Sequence, residues 1–223
     1  MRKLRWQAGF FDWNGTLLDD TKLVWRIISA VFRKYKLKKI SLEKLRGVGA
    51  YFYWKFYKKW GIPKHVKKRD TNPIADEYFR KYWKQTKLHP ETRRCLRKLH
   101  KLGLRMLIVS GDTHDRVRRR LHQFKIKGFF EHVETGVKKK TKAFFSLTEQ
   151  YDINPYKAFY VDDTLEGLRA AKQAGLTTFA FTQGLDNLER LKQAEPDAYI
   201  NNLKELLQII RSGHIPQDFE HPH

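Results

Sequence analysis

The sequence predicts an α/β fold, a parallel sheet with helices on both faces and an all-helical segment inserted after the first strand. Three observations predict it. From residue 91 onward, helical and strand-like segments alternate with short connections, the pattern of a parallel sheet built by crossover helices. Apolar runs at 7–11, 104–109 and 158–161 each end in polar groups: Asp12, Ser110-Gly111 and Asp162-Asp163-Thr164. Open α/β sheets present their reactive groups at such strand ends. Between the first two runs, residues 20–88 show apolar side chains at helical rather than alternating spacing.

Taken in order, residues 7–11 read as a buried strand and Gly15 as the bend after it. Val24, Ile28, Val31, Phe32 and Tyr35 share one face of a helix over 23–35. The aromatic run Tyr51-Phe52-Tyr53-Trp54, with Phe56, Tyr57 and Trp60, reads mainly as the core of a small unit, with base stacking as the other reading. Gly61-Ile62-Pro63 breaks the helix, and a further one over 76–83 leads back to the sheet. After His89-Pro90 the expected order is helix 91–102, strand 105–109, helix 114–124, strand 132–134, helix 141–151, strand 158–161, helix 165–174 and strand 177–181. A helix at 186–191, a strand at 198–200 and a helix at 203–210 complete it. Residues 212–223, with His214, His221 and His223, are expected to be a disordered tail.

A chain of 223 residues buries a real core and suits one α/β domain with an insertion. The apolar segment before Asp12 is too short for a signal core or a membrane span, so a soluble, cytoplasmic protein with no membrane partner is expected. Cys95 is the only cysteine, which excludes an intrachain disulfide and disfavours a thiolate metal site. The net charge is +22, and residues 19–88 hold 20 basic against six acidic residues. Such a field suits solvated helix faces, a phosphorylated ligand or a nucleic acid.

Asp12, at a strand end before a glycine turn, reads as a turn cap, a nucleophile or a metal ligand. The three polar strand ends together would gather a carboxylate, a hydroxyl with backbone amides, and an acidic pair able to hold a hard cation.

These residues also carry a resemblance. Asp12-Trp13-Asn14-Gly15-Thr16-Leu17, Leu107-Ile108-Val109-Ser110-Gly111, a lysine before the 141–151 helix, and Val161-Asp162-Asp163-Thr164 follow one another in order. So arranged, with Ala170-Ala171-Lys172-Gln173-Ala174-Gly175 after them, the chain resembles the haloacid dehalogenase superfamily, of the phosphoglycolate phosphatase-like kind. The resemblance runs from about Gln7 to Ile210. It implies a Rossmann-like core over residues 1–19 and 89–211 and a helical cap over 20–88.

The resemblance further implies Asp12 as nucleophile, forming a phospho-aspartate. Mg²⁺ would be held by Asp12, Asp163 and the backbone carbonyl of Asn14, with Asp162 as a direct or water-mediated helper. Ser110, the Gly111 amide and Thr16 would bind phosphoryl oxygens. Among Lys138, Lys139, Lys140 and Lys142, Lys140 keeps the family spacing best, fifteen positions before Pro155. The loop Arg46-Gly47-Val48-Gly49 is placed like the family's specificity loop, which makes Arg46 the candidate for a substrate carboxylate or second phosphate, beside a plain solvated reading.

Asn14 departs from the motif, where the family usually has a second Asp that protonates the leaving alcohol and activates water. An amide does neither, a loss on the order of 10² to 10⁴ in rate for poor leaving groups. Asp112, Asp20 or the substrate would then supply the acid, or good leaving groups would need none. The expected function is a Mg²⁺-dependent phosphatase acting on a small phosphorylated metabolite. The alternative is a catalytically impaired fold serving as a basic nucleic-acid or ribosome-associated module.

Overall fold

The computed structural model describes residues 4–49 and 53–216. Its main sheet has six parallel strands: β1 (Ala8–Phe11), β4 (Arg105–Val109), β5 (His132–Glu134), β6 (Ala158–Asp162), β7 (Thr177–Phe181) and β8 (Ala198–Ile200). They run in the order β5-β4-β1-β6-β7-β8. The first strand therefore lies in the middle, flanked by β4 and β6. Two residues of β2 (Leu18–Asp19) pair antiparallel with β3 (Lys87–Leu88), so the chain leaves the core and returns to it side by side.

Side-chain alternation along the strands builds two apolar layers. Phe11, Ile108, Phe159 and Val161 face α5 (Thr92–Lys101), α6 (His114–Gln123) and α10 (Leu203–Ser212). Phe10, Leu107, Ala158 and Tyr160 face α7 (Lys140–Gln150) and α8 (Leu165–Gln173). The short helix α9 (Leu188–Lys192) packs beside α8 through Leu191 and Leu168. Cys95 is buried in the first layer, where desolvation pushes its thiol up to about 12.

The inserted helices are α1 (Thr21–Lys34), α2 (Leu42–Val48), α3 (Tyr53–Lys59) and α4 (Lys68–Tyr82). They enclose a core of their own: Phe32 stacks on Phe56 with ring centres 5.9 Å apart, over Ile28, Leu45 and Tyr57. Tyr51 and Phe52 lie outside the described residues.

Three expectations are corrected. The helix expected at 76–83 begins at Lys68 and carries Pro73 inside it. Its start is fixed upstream, where Asp70 accepts from the Lys67 amide at 2.7 Å, so only one interior backbone bond is lost at the proline. Arg46, Gly47 and Val48 are not a loop but the last turn of α2, capped by the Ser41 side chain at its start and by Gly49 at φ 68° at its end. Of the tail expected from 212, the described residues 212–216 are held to the core. Gly213 closes α10 in the left-handed conformation, Arg5 donates to its carbonyl at 3.0 Å, and Ile215 packs on the core. His221 and His223 lie outside the described residues.

Candidate active site

The register of β1 against β6 sets Phe10 beside Tyr160 and Phe11 beside Val161. One step further the Asp12 amide donates to the Val161 carbonyl at 2.9 Å, which brings Asp12 alongside Asp162 at the carboxyl edge of the sheet. Tyr160 and Asp162, two residues apart on one strand, point to the same face as Phe10, and α7 covers that face. Lys140 is the first residue of α7, so its side chain meets them there.

Lys140 Nζ donates to Asp12 Oδ1 at 2.7 Å, to Asp162 Oδ2 at 2.7 Å and to the Tyr160 hydroxyl at 2.6 Å. The lysine is only 4% exposed, while Lys138, Lys139 and Lys142 are exposed. The Tyr160 hydroxyl in turn donates to Asp162 Oδ2 at 2.6 Å, and the other Asp162 oxygen accepts from the Thr164 amide and hydroxyl, each at 2.8 Å. Both Asp162 oxygens are thus held by the protein.

Asp163 is enclosed differently. Oδ1 accepts from Thr16 Oγ1 at 2.6 Å and Oδ2 from the Leu185 amide at 2.6 Å. A Cβ on Gly15 would stand 2.1 Å from Oδ2, and one on Gly184 would stand 2.2 Å from the Asp163 Cβ. Gly15 also needs its φ of 80°; the two glycines form the cradle that admits this carboxylate. Asp12, Asp162 and Asp163 each offer an oxygen within 4.8 Å of the others.

Three buried carboxylates face a single lysine here, and their mutual repulsion combines with desolvation. Burial pushes the Asp12 carboxyl up to about 7, Lys140 pulling against it and Asp162 adding to it. Burial and the neighbouring Asp162 and Asp12 push Asp163 well above the ordinary range. The all-oxygen, surplus-negative donor set fits a hard divalent cation.

Ser110 is fully buried; its hydroxyl accepts from the Asp112 amide at 3.1 Å, and its carbonyl accepts from the Val137 amide at 3.0 Å. Gly111 is exposed beside it, at the turn after β4. The Thr16 hydroxyl, expected on a phosphoryl oxygen, here gives its proton to Asp163 and orients that carboxylate instead. Arg46 is likewise committed: its guanidinium donates to the Thr182 carbonyl at 2.9 Å, and its own carbonyl accepts from the Asn187 amide at 3.0 Å. It ties the inserted helices to the core.

Asn14 sits away from the lysine cluster. Its amide donates to Asp20 Oδ2 at 2.6 Å, while the Gly15 amide donates to Oδ1 at 3.0 Å. Burial pushes Asp20 up to about 7 against these two hydrogen bonds. Asp112 is also raised by burial, with Arg116, the Thr113 amide and the Asn14 side chain opposing the shift.

The model of the haloacid dehalogenase-like hydrolases matches residues 10–181. The chain belongs to this family. Among curated relatives, a phosphoglycolate phosphatase of Vibrio vulnificus is 29% identical over 146 residues, which cover 61% of this chain and 64% of that protein. The chain thus spans slightly less than two thirds of that relative. A phosphoglycolate phosphatase of Aliivibrio fischeri is 23% identical over 214 residues, 90% of this chain and 94% of its own. Two solved structures share the haloacid dehalogenase-like fold. A predicted phosphoglycolate phosphatase from Haemophilus somnus superposes with a TM-score of 0.72 at 19% identity, covering 92% of this chain and 98% of its own. A predicted phosphatase from Clostridium acetobutylicum gives 0.74 at 18% identity, covering 93% and 99%.

Proposed function

We propose that this hydrolase is a phosphatase of small phosphorylated metabolites and that Asp12 is its nucleophile. One observation carries the reading: at the edge of the central strand Lys140 holds Asp12 Oδ1 at 2.7 Å, within a group of three buried carboxylates that suits a divalent cation. A carboxylate so fixed is oriented for attack by an electrostatic anchor behind it.

In the forward step an Asp12 oxygen bonds to phosphorus as the ester P–O bond breaks, and the leaving oxygen departs with the bonding electrons and takes up a proton from solvent. Water then cleaves the acyl phosphate, restoring the Asp12 carboxylate and releasing inorganic phosphate. Lys140 balances charge behind the nucleophile, and Asp162 and Tyr160 keep the ammonium in register. The Ser110 hydroxyl and Gly111 amide face the phosphoryl oxygens. Asp12 and Asp163, with the Asn14 carbonyl and Asp162 assisting, would hold Mg²⁺, which when bound supplies positive charge to offset the meeting of two anions. Asn14 supplies no proton, so turnover favours leaving groups of low pKa.

The test is phosphate release over a panel of alkyl and aryl phosphates, with and without Mg²⁺, using native and Asp12→Asn proteins. Mg²⁺-dependent release that the substitution abolishes supports the reading; equal release by a folded Asp12→Asn protein removes Asp12 as nucleophile.

A further inference from the structure

Between α4 of the inserted unit and α6 of the core lies a cavity of about 240 Å³. Asn14 and Asp112 line it, each two residues beyond Asp12 and Ser110, so the cavity begins where the reacting end of the site stops. Trp13, Leu18, Leu23, Phe79 and Trp83 give it apolar walls. A two-carbon leaving group of five heavy atoms would leave much of it wet.

Four arginines line this cavity, and they are not equivalent. Arg116 is held by Asp76 and by Asp112 at 3.4 Å, and lies 3.9 Å over the Phe79 ring. Arg120 donates to Thr86 and Gln123 and lies 4.6 Å over Trp83. Arg80, from α4, and Arg119, from α6, are exposed and have no acidic partner among the described residues. The carboxylates of Asp20 and Asp112 occupy the end next to Asn14. A ligand lying in this space therefore meets acidic groups beside Asn14 and uncommitted guanidinium groups elsewhere on the cavity lining. The apolar walls favour a ring over a short polar chain.

We propose, resting on the phosphatase reading above, that this cavity receives the leaving group of the substrate and selects one built on a ring that carries an acidic group. Arg80 and Arg119 recognise that acid. The two guanidinium groups come from the two sides of the cleft, Arg80 on α4 and Arg119 on α6.

The probes are phenyl phosphate, 4-carboxyphenyl phosphate and phosphoglycolate. For the native protein, kcat/KM for 4-carboxyphenyl phosphate should exceed that for phenyl phosphate at least about tenfold, with phosphoglycolate lowest. In Arg80→Gln/Arg119→Gln, two exposed substitutions, that ratio should fall to within about threefold of unity. A native ratio near one, or a ratio that survives the double substitution, overturns the proposal. Calorimetric affinities of the two aryl esters for Asp12→Asn protein give the same comparison without turnover. Phosphate release from both esters without preference sinks the cavity assignment and leaves the phosphatase reading intact. No release from any ester, with arginine-dependent preference in binding, does the reverse. Equal binding of both esters, or none, overturns the proposal whatever the turnover.

Discussion

The side-chain amide of Asn14 donates to Asp20 Oδ2 at 2.6 Å. The position where the family usually has an acid is thus tied to a buried carboxylate that desolvation has pushed up to about 7. Asn14→Asp replaces that amide with a carboxylate in contact with another, and such a pair holds a proton between its members near neutral pH. Turnover of an alkyl phosphate should rise at least about tenfold, with a smaller gain for an aryl phosphate whose leaving group hardly needs a proton. The paired carboxyls have folded pKa values above their unfolded ones, so the variant should lose melting temperature relative to the native protein as pH rises from 6 to 8. If a folded variant shows neither rate change, the missing acid does not limit this enzyme.

Metal and pH act on the same carboxylates. Asp12 and Asp20 are raised to about 7 and Asp186 to about 6, each above its ordinary 3.8, and Asp163 is raised well above it. A raised folded pKa contributes stability that is complete below the unfolded value and is lost as pH climbs through the folded one. In EDTA these groups should therefore favour pH 5.5 over pH 8. Mg²⁺ stabilises the ionised forms of Asp12 and Asp163, so its effect should be larger at pH 8. At a hundred times its Kd it adds about 2.7 kcal/mol, roughly 5–10 °C for a chain of this size. Thermal melts of native and Asp163→Asn proteins check this; an undiminished Mg²⁺ shift in the variant places the ion elsewhere.

Lys140 compensates two buried carboxylates at once. Lys140→Met should lower unfolding free energy by about 3–5 kcal/mol and reduce phosphate release to background. Adding Asp162→Asn should recover part of the stability and none of the activity. Tyr160→Phe removes one hydroxyl from the cluster and should cost about 1 kcal/mol, with turnover reduced less than about tenfold and the Mg²⁺ titration retained. Urea unfolding and phosphate release separate these outcomes.

Contact between the inserted unit and the core is made in part by Arg116, which pairs with Asp76 of α4 across the cleft and lies over Phe79 of the same helix. Asp76→Asn should raise KM about two- to fivefold with little change in kcat, in keeping with the ~0.2–1 kcal/mol of a partly exposed pair. Added salt should raise KM for the native protein more than for the variant. Equal salt dependence assigns the effect to the wider positive field.

How much of this was legible from residues alone follows the physics of each segment. Strands such as β6 announce themselves by an apolar run closed by acids, and helices such as α5 by their 3.6-residue stripe. The α2 helix is short, and its glycines at 47 and 49 imitate a loop, although Ser41 at its start was a readable cap. Lys140 stands out from its neighbours in the sequence by spacing alone; the burial that separates it from Lys138, Lys139 and Lys142 is a tertiary property. Tyr160 carried a usable signal, since a strand residue two before Asp162 shares its face. The Asp20 contact with Asn14 and the double role of Arg46 depend on where the inserted helices dock, which no local pattern encodes.

Asp12, Ser110, Lys140, Asp162 and Asp163 all stand on the sheet edge or on α7, whereas Phe79, Arg80 and Trp83 come from the inserted unit. On the proposed reading, part of the selectivity is thus carried by a stretch of chain separate from the reactive groups, while Arg119 of α6 supplies the rest. Residues 68–83 can drift in sequence, and so change what the enzyme accepts, without disturbing any group beneath the phosphorus atom. A chain built this way separates the parts that can vary from those that the reaction fixes.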